Sequence, residues 1–327
     1  MLNFLLIGAG QLGSRHLQAL ALSNFADVSI QVVEPSPEAR KVAQERWGQV
    51  AQSEYIKSIA FLADIVEVRS AIDFCIVATN ANCRLQVLKN LLGNTTVQKL
   101  VFEKVLFQSV EQLKEATHLL SSVETQVWVN CPRRMFPIYQ ELKKRLAREQ
   151  SLSLRVKGNS WGLACNAIHF IDLWAMLGGQ VEYALDMSGL DAVVVQSKRP
   201  GYKEVSGSLS GGAGKRSFLL TSTTHTEAVP LIICIETEHF SIAVNESVGQ
   251  CTVVTKETGH KEMLEFSVLY QSQLSHQVAR QLLSNEQGDC ELTPFSESAA
   301  LHEPFLRGLL EFFNRQGDYD LSLCPIT

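Results

Sequence analysis

Leu2-Asn3-Phe4-Leu5-Leu6-Ile7-Gly8-Ala9-Gly10-Gln11-Leu12-Gly13 is the stretch from which the fold is read. A short apolar run that stops at glycine predicts a buried strand. Leu12, Leu17 and Leu20 then fall near helical spacing, so a helix is expected to begin around Gly10. The glycines stand at the G-x-G-x-x-G spacing. In that arrangement Gly8 permits the turn out of the strand and Gly10 lets the backbone approach a pyrophosphate. Gly13 lets helix and strand pack closely. The helix N-terminus, with Gln11 and Leu12 leading into it, offers free N–H groups and positive dipole charge to phosphates.

A lone glycine pattern is weak, so the residues after it decide its meaning. Val28-Ser29-Ile30-Gln31-Val32-Val33 predicts a second strand, and it ends in Glu34. A carboxylate there can accept hydrogen bonds from both ribose hydroxyls of an adenosine and would repel a 2′-phosphate, so NAD is expected over NADP. Arg40, close by in sequence, argues the other way. The plainer alternative is a glycine-rich turn in a Rossmann-like domain that binds no dinucleotide.

Further along, strand and helix patterns alternate. Residues 35–47 predict a helix opened by proline. Ser58–Val68 predicts a helix, or a helix plus a short strand. Ile72–Thr79 is an apolar run suited to a central parallel strand, and Arg84–Leu92 predicts a helix after it. Leu100–Phe102 is the next strand. Ser109 and Gln112 form a capping box for a helix, and Val127–Val129 is one more strand. The alternation predicts a doubly wound parallel sheet. In such sheets the loops at the C-terminal strand ends face the ligand. Thr79 and Asn80, and later Glu103 and Lys104, stand at such ends and are expected to line a cofactor. A helix cap is the competing role for Thr79 or Asn80.

The pattern changes after residue 124. Pro132-Arg133-Arg134 leads to a helix, Tyr139–Arg148, then a strand at 152–157 and a helix, Asn166–Leu177. Residues 181–270 are mostly strand: 192–195, 217–220, 231–235, 240–244 and 251–254, with a Gly-rich turn at 207–214. Two more helices are expected at 274–283 and 296–313. Consecutive strands without helices predict an antiparallel sheet. The expected class is therefore α/β: a Rossmann domain with a doubly wound parallel sheet at residues 1–124, then an α/β domain with a large open, mostly antiparallel sheet at 125–327.

The chain has 327 residues, 46% of them hydrophobic and 19% charged, with net charge −5. That suits a globular chain with a real core and argues against nucleic acid or an anionic membrane as partner. Met1 runs directly into the first strand and no apolar run is of spanning length, so a cytoplasmic protein is expected. The eight cysteines show no C-x-x-C or Cys/His spacing, so neither a metal site nor a disulfide framework is expected.

These residues, taken in order, resemble the glucose–fructose oxidoreductase / inositol dehydrogenase / MocA (Gfo/Idh/MocA) family. Gly8–His16 resembles that family's opening and Glu34-Pro35-Ser36 its acidic residue after the second strand. Ala78-Thr79-Asn80 is similar to its A-T-P loop, with Arg84 where histidine is frequent. Glu103-Lys104-Val105 resembles its E-K-P motif, and Ala167–Asp172 its G-x-H-x-x-D segment. Cys324–Thr327 is similar to common family endings. The resemblance implies hydride exchange between a nicotinamide cofactor and a sugar, sugar-nucleotide or cyclitol carbinol, and a homodimer or homotetramer formed through the open sheet.

That chemistry needs a base within reach of the hydroxyl proton and a cation near the developing negative charge. The resemblance implies Lys104 and His169 for these tasks, with Asp172 to orient the imidazole and Glu103 to hold the lysine or the nicotinamide ribose. Arg134, Cys165 and Asn166 are expected near a substrate, a guanidinium suiting a phosphate or carboxylate. Arg133 and Arg134 could equally be surface charges. Two positions depart from the family. Cys165 stands where an aspartate is common. Val105 replaces the motif's proline, and a cis peptide before a non-proline residue costs roughly 3 kcal/mol. The competing reading is a regulatory or scaffold protein that binds NAD and a sugar without turnover.

Overall fold

A computed structural model of the chain describes residues 1–25, 27–69, 71–224, 229–284, 289–317 and 321–327. It divides into two compact units. One comprises Met1–Phe107, Glu111–Pro132 and Leu269–Phe295, the other Gln108–Val110, Arg133–Val268 and Ser296–Thr327.

In the first unit, strands β1 (Leu2–Ile7), β2 (Val28–Val33), β3 (Ile56–Leu62), β4 (Ile72–Val77), β5 (Val97–Glu103) and β6 (Gln126–Asn130) are all parallel. The sheet runs β6-β5-β4-β1-β2-β3, and the short strand Thr293–Pro294 adds antiparallel to β6 at its edge. Helices α1 (Gly13–Leu20), α2 (Pro37–Gly48), α3 (Ala81–Asn94) and α4 (Val110–Ser121) make the crossovers. The chain builds outward from β1 to β3, then restarts at β4 on the other side of β1. The switch point of this doubly wound sheet lies between β1 and β4, which pair Ile7 with Val77. Phe4, Leu5, Leu6, Phe74, Cys75 and Leu100 are buried, as expected of strands covered on both faces.

The segment expected to be a helix, or a helix plus a short strand, at Ser58–Val68 is instead the greater part of β3 followed by a single 3-10 turn, Ile65–Glu67. Ile56 and Ile59 have helix-like spacing, but β3 is an edge strand with one open flank, so its side chains do not alternate cleanly between core and solvent.

The second unit contains β7 (Leu152–Asn159), β8 (Ala184–Asp186), β9 (Val195–Gln196), β10 (Lys203–Glu204), β11 (Gly207–Ala213), β12 (Arg216–Thr223), β13 (Ile232–Glu236), β14 (Phe240–Asn245), β15 (Gln250–Thr255) and β16 (Lys261–Glu265). Eight of them form a sheet in the order β16-β15-β14-β13-β7-β12-β11-β8, and β9 pairs with β10 separately. All neighbours are antiparallel except β7 and β12. Leu152, Leu154 and Val156 are buried while Arg155 and Lys157 are exposed, so β7 packs on one face only. Helices α5 (Pro137–Leu146) and α6 (Leu163–Gly178) pack together, and α6 also lies against β7 and β12.

The second unit departs from expectation in two places. Residues 207–213 form a strand rather than a turn. Their glycines clear space, since a Cβ on Gly211 would lie 2.5 Å from the Phe218 ring. Of 192–195 only Val195 is in a strand, and Val193 is exposed. Residues 225–228, inside the stretch read as mostly strand, lie outside the described residues.

Candidate functional site

The glycine loop is set by sterics. Gly8 leaves β1 at φ +87°, and a Cβ on it would come 2.9 Å from the Thr79 nitrogen. A Cβ on Gly13 would lie 1.8 Å from the Gly8 carbonyl oxygen, so helix and loop touch only because residue 13 is glycine. Gly10 differs, because no atom lies within 4 Å of the place its Cβ would take. The space in front of Gly10 is open. The first turn of α1 carries no side-chain cap at Leu12. Open space at a helix N-terminus that carries no side-chain cap fits a diphosphate.

Glu34 closes the loop from the end of β2. Its carboxylate accepts from the Ala9 N–H at 2.8 Å and from the Ser36 N–H at 3.0 Å. Gln11 is exposed. Arg40 donates to the Glu34 and Pro35 carbonyls, and Arg46 to the Ser14 hydroxyl and the Gln11 carbonyl. Thr79 follows β4, and its hydroxyl oxygen is buried without a hydrogen-bond partner among the described residues. Asn80 occupies the N-cap of α3, but its side chain makes no cap bond.

Glu103 and Lys104 end β5. Glu103 is 3% exposed, and its Oε1 accepts from His16 Nε2 at 2.8 Å and Asn130 Nδ2 at 2.5 Å. Burial pushes its pKa up, but the hydrogen bonds and charges of His16, Asn130 and Lys104 outweigh that and hold it below the ordinary value. The network continues. His16 Nδ1 lies 2.8 Å from the Ser275 hydroxyl, and Asn130 donates to Gln271 Oε1 at 2.8 Å. An acceptor-only carboxylate requires the His16 proton on Nε2. The returning segment 269–295 thus supplies two of the groups that fix α1 against β5. Lys104 is half-buried, and the Lys104–Val105 peptide is cis, without the proline.

In the second unit, α6 carries Cys165, Asn166, His169 and Asp172. Cys165 and Asn166 precede His169 by four and three residues and share its helix face. The N-terminus of α6 is capped from β10. Glu204 accepts from the Ala164 N–H at 2.8 Å and the Cys165 N–H at 3.2 Å. Asn166 donates to the Trp161 carbonyl at 2.9 Å.

Asp172 and Arg134 are committed to each other. Arg134 Nε donates to Asp172 at 2.8 Å and Nη2 to Glu297 at 2.5 Å, with Arg134 6% and Asp172 1% exposed. Burial pulls the arginine's pKa down, but the two carboxylates raise it further. Arg133 makes two bonds to Glu246, at 2.8 and 2.7 Å, and lies over the Phe170 ring at 4.3 Å. These arginines hold the unit together, as buried pairs do, rather than facing outward as surface charges.

Arg84, His16, Asn130, Gln271, Ser275 and Glu204 escape the sequence reading of the site. His16 and Arg84 stand inside the quoted motifs, but nothing in their spacing reveals their partners. Gln271, Ser275 and Glu204 arrive from distant segments. Among the described residues no His, Cys, Asp and Glu cluster could hold a metal, and no helix is long and apolar enough to cross a membrane.

A parallel sheet with order β3-β2-β1-β4-β5-β6, an open glycine loop and an acid at the end of β2 defines an NAD-binding Rossmann domain. Residues 2–131 match the GFO_IDH_MocA model, described as an oxidoreductase family with an NAD-binding Rossmann fold. No curated protein matches the chain. Solved structures with the same fold cover nearly all of it. An oxidoreductase from Agrobacterium radiobacter, in complex with NAD+, L-tartaric acid and magnesium, has TM-score 0.70 at 12% identity, covering 93% of this chain and 94% of that one. The UDP-N-acetylglucosamine 3-dehydrogenase GnnA from Acidithiobacillus ferrooxidans has TM-score 0.67 at 13% identity, covering 94% and 96%. A super-repressor mutant of Gal80p from Saccharomyces cerevisiae has TM-score 0.70 at 11% identity, covering 96% of each.

Proposed function

We propose that this chain is an NAD-dependent oxidoreductase that moves a hydride between nicotinamide and a CH–OH carbon of a sugar, sugar nucleotide or cyclitol. The observation that carries the proposal is the loop at Gly8–Gly13. It is open in front of Gly10 and braced by Glu34, in a Rossmann domain that also places a half-buried lysine at the end of β5. Bound NAD would supply the hydride acceptor. Backbone N–H groups of α1 would hold its diphosphate, with Gly8, Gly10, Gln11, Leu12 and Gly13 forming the cradle. Glu34 favours an unphosphorylated ribose, while Arg40 would be the residue to suit NADP.

Lys104 and His169 are proposed to handle the hydroxyl proton and its oxygen's charge, with Cys165 and Asn166 near substrate. For Asp172 and Arg134 the buried pair supports an indirect role, fixing α6 beneath His169. A homodimer or homotetramer through the open sheet and a cytoplasmic location complete the proposal. The test is purified protein with NAD(H) and a panel of sugars, sugar nucleotides and cyclitols. Turnover that falls at least tenfold in Lys104→Ala supports the reading, and no turnover across the panel removes it.

A second reading is a binding protein without turnover. Cys165, which brings no carboxylate to the His169 face, and the fold shared with a repressor favour it. NAD binding with no hydride transfer, unchanged in Cys165→Asp, would select this reading.

A further inference from the structure

The geometry points to Arg84 as a positioning residue that sets the turn carrying Lys104. Arg84 lies in the first turn of α3 and is 1% exposed. Its Nη1 donates to the Val105 carbonyl and, at 2.9 Å, to the Leu106 carbonyl. Its Nη2 donates to the Thr79 carbonyl. These acceptors belong to the loops that leave β4 and β5, the two places where the parallel sheet presents site residues. One planar fork therefore spans two loops.

Backbone carbonyls turned inward from a loop need donors, since a buried C=O without one costs free energy. Guanidinium has several N–H groups in a rigid plane and can serve more than one acceptor at once. A lysine has one nitrogen and cannot reach both loops. Leucine or methionine would fill the volume and leave the carbonyls without this donor.

The effect on Lys104 comes from its neighbours. On one side, Glu103 is gripped by His16 and Asn130. On the other, the carbonyls of Val105 and Leu106 are gripped by Arg84. The residues on both sides of Lys104 are thus held, Glu103 before it and Val105 and Leu106 after it. The Glu103 grip acts through a side chain. The Arg84 grip acts on the main chain just past the lysine, so loosening it swings the direction in which the ammonium leaves the sheet.

This inference rests on the proposal that Lys104 handles the reacting proton, and its test separates the two. Arg84→Gln and Arg84→Lys are made beside Lys104→Ala, and folding is checked by circular dichroism. Lysines are reductively methylated with 13C, and the Lys104 resonance is identified by its loss in Lys104→Ala. The expected result is a wild-type resonance apart from those of exposed lysines that moves toward them in Arg84→Gln and is not restored in Arg84→Lys. Where the wild type turns over, kcat should fall at least tenfold in both variants while KM for NAD stays within about threefold. A Lys104 resonance unmoved in both folded variants overturns the role of Arg84, whatever the activity. Absent turnover in the wild type, or full turnover in Lys104→Ala, sinks the lysine proposal instead and leaves the resonance to decide Arg84.

Discussion

The turn bearing Lys104 and the helix bearing His169 are secured by different physics. In the first unit, support comes from a chain of hydrogen-bonded side chains, Ser275, His16, Asn130 and Gln271, around the single carboxylate of Glu103, and from a guanidinium bonded to carbonyls. In the second unit, α6 is anchored by arginine–carboxylate pairs, Arg134 with Asp172 and Glu297 and Arg133 with Glu246. The difference teaches where charge is available for chemistry. Around α6 the charges are spent on the fold. Around β5 a half-buried lysine follows directly on a carboxylate held by hydrogen bonds from His16 and Asn130.

The comparison breaks first at Asp172. Asp172→Ala leaves Arg134 a buried cation short of its 2.8 Å partner, and stability should fall by about 3–5 kcal/mol in denaturant unfolding. A loss below about 1 kcal/mol would mean the pair is no anchor. The next largest effect concerns the proton that Lys104 and His169 are proposed to handle. Lys104→Ala and His169→Ala should each lower kcat by about 100-fold or more with the melting temperature nearly unchanged, read in steady-state kinetics beside a thermal scan. Glu204→Ala removes the cap of α6 and should cost about 1 kcal/mol in stability.

The smallest effect is the pH dependence of Glu103. Its folded-state pKa lies below its unfolded value, so its contribution is present above the unfolded pKa and lost as pH falls through the folded one. Stability should therefore decline on acidification from about pH 5, and Glu103→Gln should flatten that part of the profile. An identical acid limb in wild type and variant would remove Glu103 from the account.

The first unit is legible in the sequence because its central strands are buried on both faces. Leu2–Ile7 and Ile72–Val77 read as apolar runs interrupted only by Asn3 and Asp73, and Gly8, Gly13 and Glu34 sit where a Rossmann turn needs them. β3 reads as a helix, or a helix plus a short strand, because an edge strand, only partly buried, loses the pattern that marks a strand. In the second unit β11 hides as a glycine-rich turn because Phe218 occupies the space its side chains would need. The supports of the site are the least legible. Gln271 meets Asn130 across 141 positions and Glu204 meets Ala164 across 40, and no local pattern records such contacts.

Two glycines of one motif allow the most direct test. Gly13 has the Gly8 carbonyl 1.8 Å from its missing Cβ, so Gly13→Ala should damage the folded loop itself. Gly10 faces only open space, so Gly10→Val should fold and melt like the wild type while filling the place where a diphosphate would rest. Titration calorimetry of NAD into wild-type and Gly10→Val protein reads this out. The account expects binding to the wild type and at least a hundredfold weaker binding to the folded variant. Equal affinity in the two proteins, or no binding to either, would contradict it.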